Sequence, residues 1–177
     1  MRKVNKSWMA TLVAGVLLAA LGGVVWARPS HAPENAEITR KVTLTGGDFI
    51  AAQSQNWYNS GQLVRCNGVN CHFTAPVVFP CLPSVTVKRI KLHVYDNNTA
   101  GACDAEARLM RANPATGAEV ELGEAATWDS SSTYPETIAS LAINKVVWPS
   151  QKAYIALLIE CTNIDVFGVT VEYRRNI

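Results

Sequence analysis

The sequence predicts an all-β protein: a two-sheet antiparallel β-sandwich, jelly-roll-like, of about eight strands. Three observations predict it. From Ile38 onward the apolar residues recur with a period near two rather than 3.6. The periodic segments run for roughly 6–11 residues and are punctuated by turn residues, as strands are. No strongly amphipathic helical stretch interrupts them, and there is neither an internal repeat nor a low-complexity tract.

The N-terminus is set apart from this pattern. Arg2, Lys3 and Lys6 form a positive start, and every residue from Trp8 to Ala27 is apolar, small or a lone threonine. Val25 and Ala27 then occupy the small-residue places of a cleavage junction before Arg28 and Pro29, so residues 1–27 are expected to be a secretory signal peptide. The rival is a retained anchor, since about 20 apolar residues can span a bilayer. No second run of that length follows. Residues 28–37, RPSHAPENAE, are polar and Pro-bearing and are expected to be a linker, which leaves 38–177 as one sandwich domain.

Along the domain, VTLTG at 42–46 alternates. VTVKRIKLHVY at 85–95 does so best, with Ile90, Leu92 and Val94 on one side and Arg89, Lys91, His93 and Tyr95 on the other. Its alternation slips at the start, which points to a bulge. CDAEARLMRA at 103–112 has helical propensity, but it is short and stands between two turn signals, so it is assigned to a strand. AEVELGEAATW at 118–128 follows NPATG, whose Pro114 and Gly117 suit a hairpin connection. ETIASLAINKVVW at 136–148 is ambiguous, whereas KAYIALLIEC at 152–161 and DVFGVTVEYRR at 165–175 are strands.

Charge excludes one class of partner. The chain has 16 basic and 14 acidic residues, but three of the basic ones lie in the leader, so the remainder is close to neutral. No Lys/Arg cluster with interleaved aromatics occurs, and no nucleic acid is expected as a ligand. Cleavage of the leader would also leave no membrane segment.

All five cysteines follow the leader, and exported chains meet oxidising conditions. Any one of the five can be left over while the other four pair in three ways, and sequence does not choose among these. The pairing taken is Cys66 with Cys71, across the NGVN turn signal, and Cys103 with Cys161, which begin and end two strand patterns. Cys81 is then a free or intermolecular thiol. A zinc site at Cys66, Cys71 and His72 lacks a second ligand pair.

FTAPVVFPCLPSVTVKRIKLHVYDN, ARLMRANPATG, KAYIALLIE and VFGVTVEYR together resemble a pattern of uncharacterised exported bacterial proteins. In that group an APV-x-L-P start leads into a long strand ending in Tyr-Asp-Asn, an L-x-R…TG hairpin follows, and a GV-x-V-x-Y strand closes the domain. The resemblance covers roughly residues 72–174. It implies an exported β-sandwich and supplies no activity. The chain departs from the pattern at Cys81 and Pro83, where a Gly-containing turn is usual.

Candidate sites are few. DNNTAG at 96–101 begins like a calcium loop, with Asp96, Asn98 and Gly101 at the first, third and sixth places. Ala107 stands where the closing glutamate belongs, so an ordinary Asx turn is the preferred reading, and Ca2+ through Asp96, Asn98 and Asp104 is the alternative. No other cofactor is expected. Catalysis lacks a setting. There is no G-x-S-x-G elbow. His93 and Asp96, three apart on a strand, face opposite ways. Glu119 and Glu121, with Glu124 nearby, fit a charged outer face at least as well as a carboxylate pair. The aromatics Trp57, Tyr58, Trp128 and Trp148, with Tyr134, fall at strand ends or loops, where flat rings can stack on sugars or can cap the core. The expected function is therefore that of a secreted, non-catalytic domain acting by surface contact with a glycan, a cell-wall component or a protein. A structural or assembly subunit of an extracellular layer is the alternative, and a secreted hydrolase comes after both.

Overall fold

The computed structural model describes residues 38–52, 56–80, 84–97, 103–128 and 134–176. The leader and linker expectations, Cys81, Asn98 and Gly101 lie outside them.

The described residues form twelve strands and one short 3-10 turn, Gly46–Asp48. The strands are β1 (Thr39–Thr45), β2 (Ile50–Ala51), β3 (Trp57–Asn59), β4 (Val64–Cys66), β5 (Cys71–Val77) and β6 (Val85–Asp96). They continue as β7 (Ala105–Ala112), β8 (Glu119–Ala126), β9 (Glu136–Ala139), β10 (Lys145–Val147), β11 (Lys152–Ile159) and β12 (Ile164–Arg175). All pairings are antiparallel, in a seven-stranded and a five-stranded sheet. The all-β sandwich is thus as expected. The long strands match the sequence pattern, including β7, where burial of Ala105, Ala107 and Leu109 overrides helical propensity. The count exceeds eight because the edges are broken into pieces: the ambiguous 136–148 segment becomes β9 and β10, which pair in succession along one side of β6. Among the described residues no helix is long and apolar enough to cross a membrane.

In the seven-stranded sheet β12 lies between β6 on one side and β1 and β4 on the other. The five-stranded order is β2-β5-β11-β7-β8. Alternation turns Phe73, Ala75, Leu109, Ile155, Leu157 and Ile159 of one sheet against Val87, Ile90, Leu92, Val94, Val166, Val169, Val171 and Tyr173 of the other, all fully or nearly fully buried. The slip at the start of 85–95 is a bulge: β12 pairs Glu172 with Arg89 and then Tyr173 with Val87, which leaves Lys88 over. Val85 and Val87 can therefore face the core on the same side as Ile90. A second bulge leaves Phe167 over on β12. Beside it Gly168 has φ 157, and a Cβ there would lie 2.1 Å from the Leu44 carbonyl oxygen, so only glycine fits.

Both expected disulfides form. Cys66 and Cys71 stand 5.6 Å apart at Cα and join β4 of one sheet to β5 of the other, with Asn70 at φ 56 in the connecting turn. Cys103 and Cys161 stand 5.7 Å apart and extend the β7–β11 ladder beyond the Ala105–Ile159 pair.

Candidate functional site

The outward residues of the five-stranded sheet line up across strands by register. One row runs Ile50, Thr74, Ala156, Arg108, Glu124, and the next passes through His72, Leu158, Glu106 and Ala126. On the other side of the first row lie Pro76, Tyr154, Met110 and Glu121. The central strand β11 contributes the small Ala156 between two larger neighbours, so the face is hollowed there. A groove of about 310 Å³ opens over Ala156 and Thr74, walled by Tyr154, His72, Glu106 and Arg108. That volume lies at the small end of ligand sites.

The polar wall is held in place beforehand. The Arg108 guanidinium makes a two-pronged contact with Glu106: Nε donates to Oε1, and Nη2 donates to Oε2 at 2.8 Å. Glu121 and Glu124 lie 3.8 and 3.9 Å from Arg108 Nε. The Glu106 hydrogen bond is the main reason the Arg108 pKa is raised, partly offset by burial. Glu124 is pushed above the usual carboxylate range, first by a hydrogen bond with Glu106, then by burial and by repulsion from Glu106 and Glu121. The Tyr154 phenol is also raised, first by burial and then by its hydrogen bond to Glu119.

A bulge makes this cluster possible. Between Leu109–Gly123 and Met110–Glu121 the register skips Leu122. Without that extra residue Glu124 would face opposite to Glu119 and Glu121; with it, all three carboxylates look outward. The sequence pattern grouped these glutamates but gave no sign of Arg108 in their midst.

The sequence-predicted aromatics are exposed but do not share a platform. Trp57 is 38% exposed on the β3 edge and meets buried Phe73 edge-on at 5.9 Å. Tyr58 is exposed beside Arg65. Trp128 is 63% exposed after β8, near the opposite edge, with φ 44; it lines a cleft of about 460 Å³ with Leu141 and Lys145. Trp148 is 55% exposed at the far end of the sandwich, in a cleft of about 430 Å³ with Phe79 and Pro149. Tyr134 is exposed ahead of β9.

The calcium reading gains little from the geometry. Asp96 is fully buried in the inward set of β6, and Asp104 Oδ1 accepts a hydrogen bond from the Thr127 hydroxyl at 2.9 Å. Among the described residues no group of three or more His, Cys, Asp or Glu side chains is arranged to hold a metal ion. His93 is bonded through Nδ1 to the Thr137 hydroxyl and through Nε2 to the Thr170 hydroxyl, both at 2.9 Å. It is engaged in a lateral network of the seven-stranded sheet, with Asp96 on the other face of β6.

Tyr154, Ala156, Thr74, Glu106 and Arg108 were not singled out from sequence, and His72 only as part of a weak zinc pattern. The available signal was parity: once Ile155, Leu157 and Ile159 are taken as inward, Tyr154 and Ala156 must face out. What register brings beside them is not written in any one segment.

No family model and no curated protein matches the chain. Solved structures do match. One is described as a xylan-binding module CBM15, 11% identical, covering 80% of this chain and 99% of that one, with a TM-score of 0.46. Another is the CBM36-1 domain of a multidomain xylanase from the hindgut metagenome of Trinervitermes trinervoides, 14% identical, covering 75% and 96%, with a TM-score of 0.47. A third is the carbohydrate-binding module TmCBM27, described in terms of mannan recognition, 10% identical, covering 77% and 99%, with a TM-score of 0.34. At this level the likeness bears on the path of the chain alone.

Proposed function

We propose that this chain is an exported, non-catalytic module that binds a neutral glycan in the groove on the outer face of its five-stranded sheet. The observation that carries the reading is the pairing of a small-residue floor, Ala156 and Thr74, with an aromatic wall, Tyr154, and a pre-set planar polar wall, Glu106–Arg108. A sugar offers an apolar C–H face and a rim of neighbouring hydroxyls. Tyr154 suits the first, and the fixed guanidinium and carboxylate suit the second. Because Arg108 is already held by Glu106, little side-chain freedom is lost on binding.

A binding role is favoured over hydrolysis by the same geometry. Glu106, Glu121 and Glu124 are gathered about the Arg108 guanidinium, so a cation rather than a sugar bond stands among them. Glycosidase carboxylates stand roughly 5–9.5 Å apart, with a sugar bond between them. Export is supported by the leader-like N-terminus, by the two disulfides and by the motif resemblance to exported bacterial proteins.

The test is calorimetric titration with cellohexaose, xylohexaose and mannohexaose. The native chain is expected to bind at least one of them, and Tyr154→Ala to weaken that binding about tenfold or more with the fold intact by circular dichroism. Trp128→Ala and Trp148→Ala are expected to leave affinity within about twofold. Absence of binding to all three sugars, or loss on either tryptophan substitution but not on Tyr154→Ala, contradicts the reading.

A further inference from the structure

The two outer faces carry opposite charge in mirrored arrangements. On the seven-stranded sheet one carboxylate, Glu172, sits among three cations: Lys91 Nζ at 2.8 Å, Lys41 Nζ at 3.7 Å, and Arg89, its direct partner in the ladder. Arg65 balances Asp165 on the same face, at 2.5 and 2.6 Å. On the five-stranded sheet one cation, Arg108, sits among three carboxylates, Glu106, Glu121 and Glu124, while Glu119 and Lys152 lie on strands beside it. Among the described residues no helix covers either face. In a nearly neutral domain, the positive excess is thus on one outer face and the negative excess on the other.

We propose that these faces dock onto each other between copies of this chain, the seven-stranded face of one molecule against the five-stranded face of the next. Such an interface is heterologous and does not close on itself, so it builds a stack rather than a two-fold dimer. Four or five strands about 4.8 Å apart and about eight residues long present roughly 600 Å². That is short of the roughly 800 Å² per partner of a standard stable interface. The association is therefore weak and governed by charge, so added salt opposes it. A docked copy covers the Tyr154 groove, but the inference does not depend on glycan binding.

Analytical ultracentrifugation of the full chain tests it. At about 20 mM salt the native chain is expected to show mass rising with concentration, and about 500 mM salt to weaken this roughly tenfold or more. Lys41→Glu with Arg89→Glu makes both faces acidic; Glu121→Lys with Glu124→Lys makes both basic. Each variant alone is expected to be monomeric, and an equimolar mixture of the two to associate again. A native chain that stays monomeric at low salt, an association indifferent to salt, or a mixture that remains monomeric overturns the proposal. Lys41→Glu with Arg89→Glu leaves every groove residue in place, so the same sample read by glycan titration separates failure of the stack from failure of the groove.

Discussion

At the scale of single residues, His93 and Gly168 give the sharpest expectations. His93 lies between the Thr137 and Thr170 hydroxyls, and Thr170 is bonded in turn to Thr43 at 3.1 Å, so the network crosses β9, β6, β12 and β1. Burial, and then the nearby charge of Lys91, lower its pKa. A base whose folded pKa lies below the ordinary value of about 6.5 contributes stability that is present above that value and lost as pH falls through the folded pKa. The melting temperature of the native chain should therefore fall between pH 7.5 and 5.5, and that of His93→Gln should fall less; parallel profiles would contradict the assignment. Gly168→Ala forces a Cβ against the Leu44 carbonyl where β1 meets the β12 bulge. Chemical denaturation should show a cost of about 3 kcal/mol or more. Parity made the outward position of His93 legible in the sequence. Its hydroxyl partners were not, since Thr137 and Thr170 reach it only through the pairing of three strands.

Among the elements, the two disulfides differ in what they close. Cys103–Cys161 spans a sequence separation of 58, and Cys66–Cys71 one of 5. By loop-closure entropy, removing the first should cost about 4 kcal/mol and the second about 2 kcal/mol. Urea denaturation of the two double Cys→Ser variants should rank them in that order; equal costs would mean that strain or residual structure in the unfolded chain dominates. The long strands and the β6 bulge were legible because apolar parity is a local signal, and it breaks visibly at Lys88. The β8 bulge was not, because beyond Leu122 the slip is marked only by the small Ala125, a weak apolar signal, and so the convergence of Glu124 with Glu119 and Glu121 on one face was hidden. The short edge pieces β2, β3, β9 and β10 were hard to read because so few residues carry the alternation.

For the whole molecule, near-neutral net charge conceals an uneven distribution. Composition suggests an electrically plain surface, yet strand parity, together with the β8 bulge, sorts Lys41, Arg89 and Lys91 to one outer face and Glu106, Glu119, Glu121 and Glu124 to the other. The same sorting digs the groove over Ala156, because a sheet face is shaped by what stands side by side on neighbouring strands. The exposed tryptophans, the most visible sequence feature, are spread over two edges and one end, and so offer no shared platform for a chain of sugars. The most direct test of the account is an amide and side-chain NMR titration of the native chain with the hexasaccharide that binds. The expected result is shifts concentrated on Thr74, Ala156, Tyr154 and Arg108. Shifts centred instead on Trp128 or Trp148, with the five-stranded face unchanged, would contradict it.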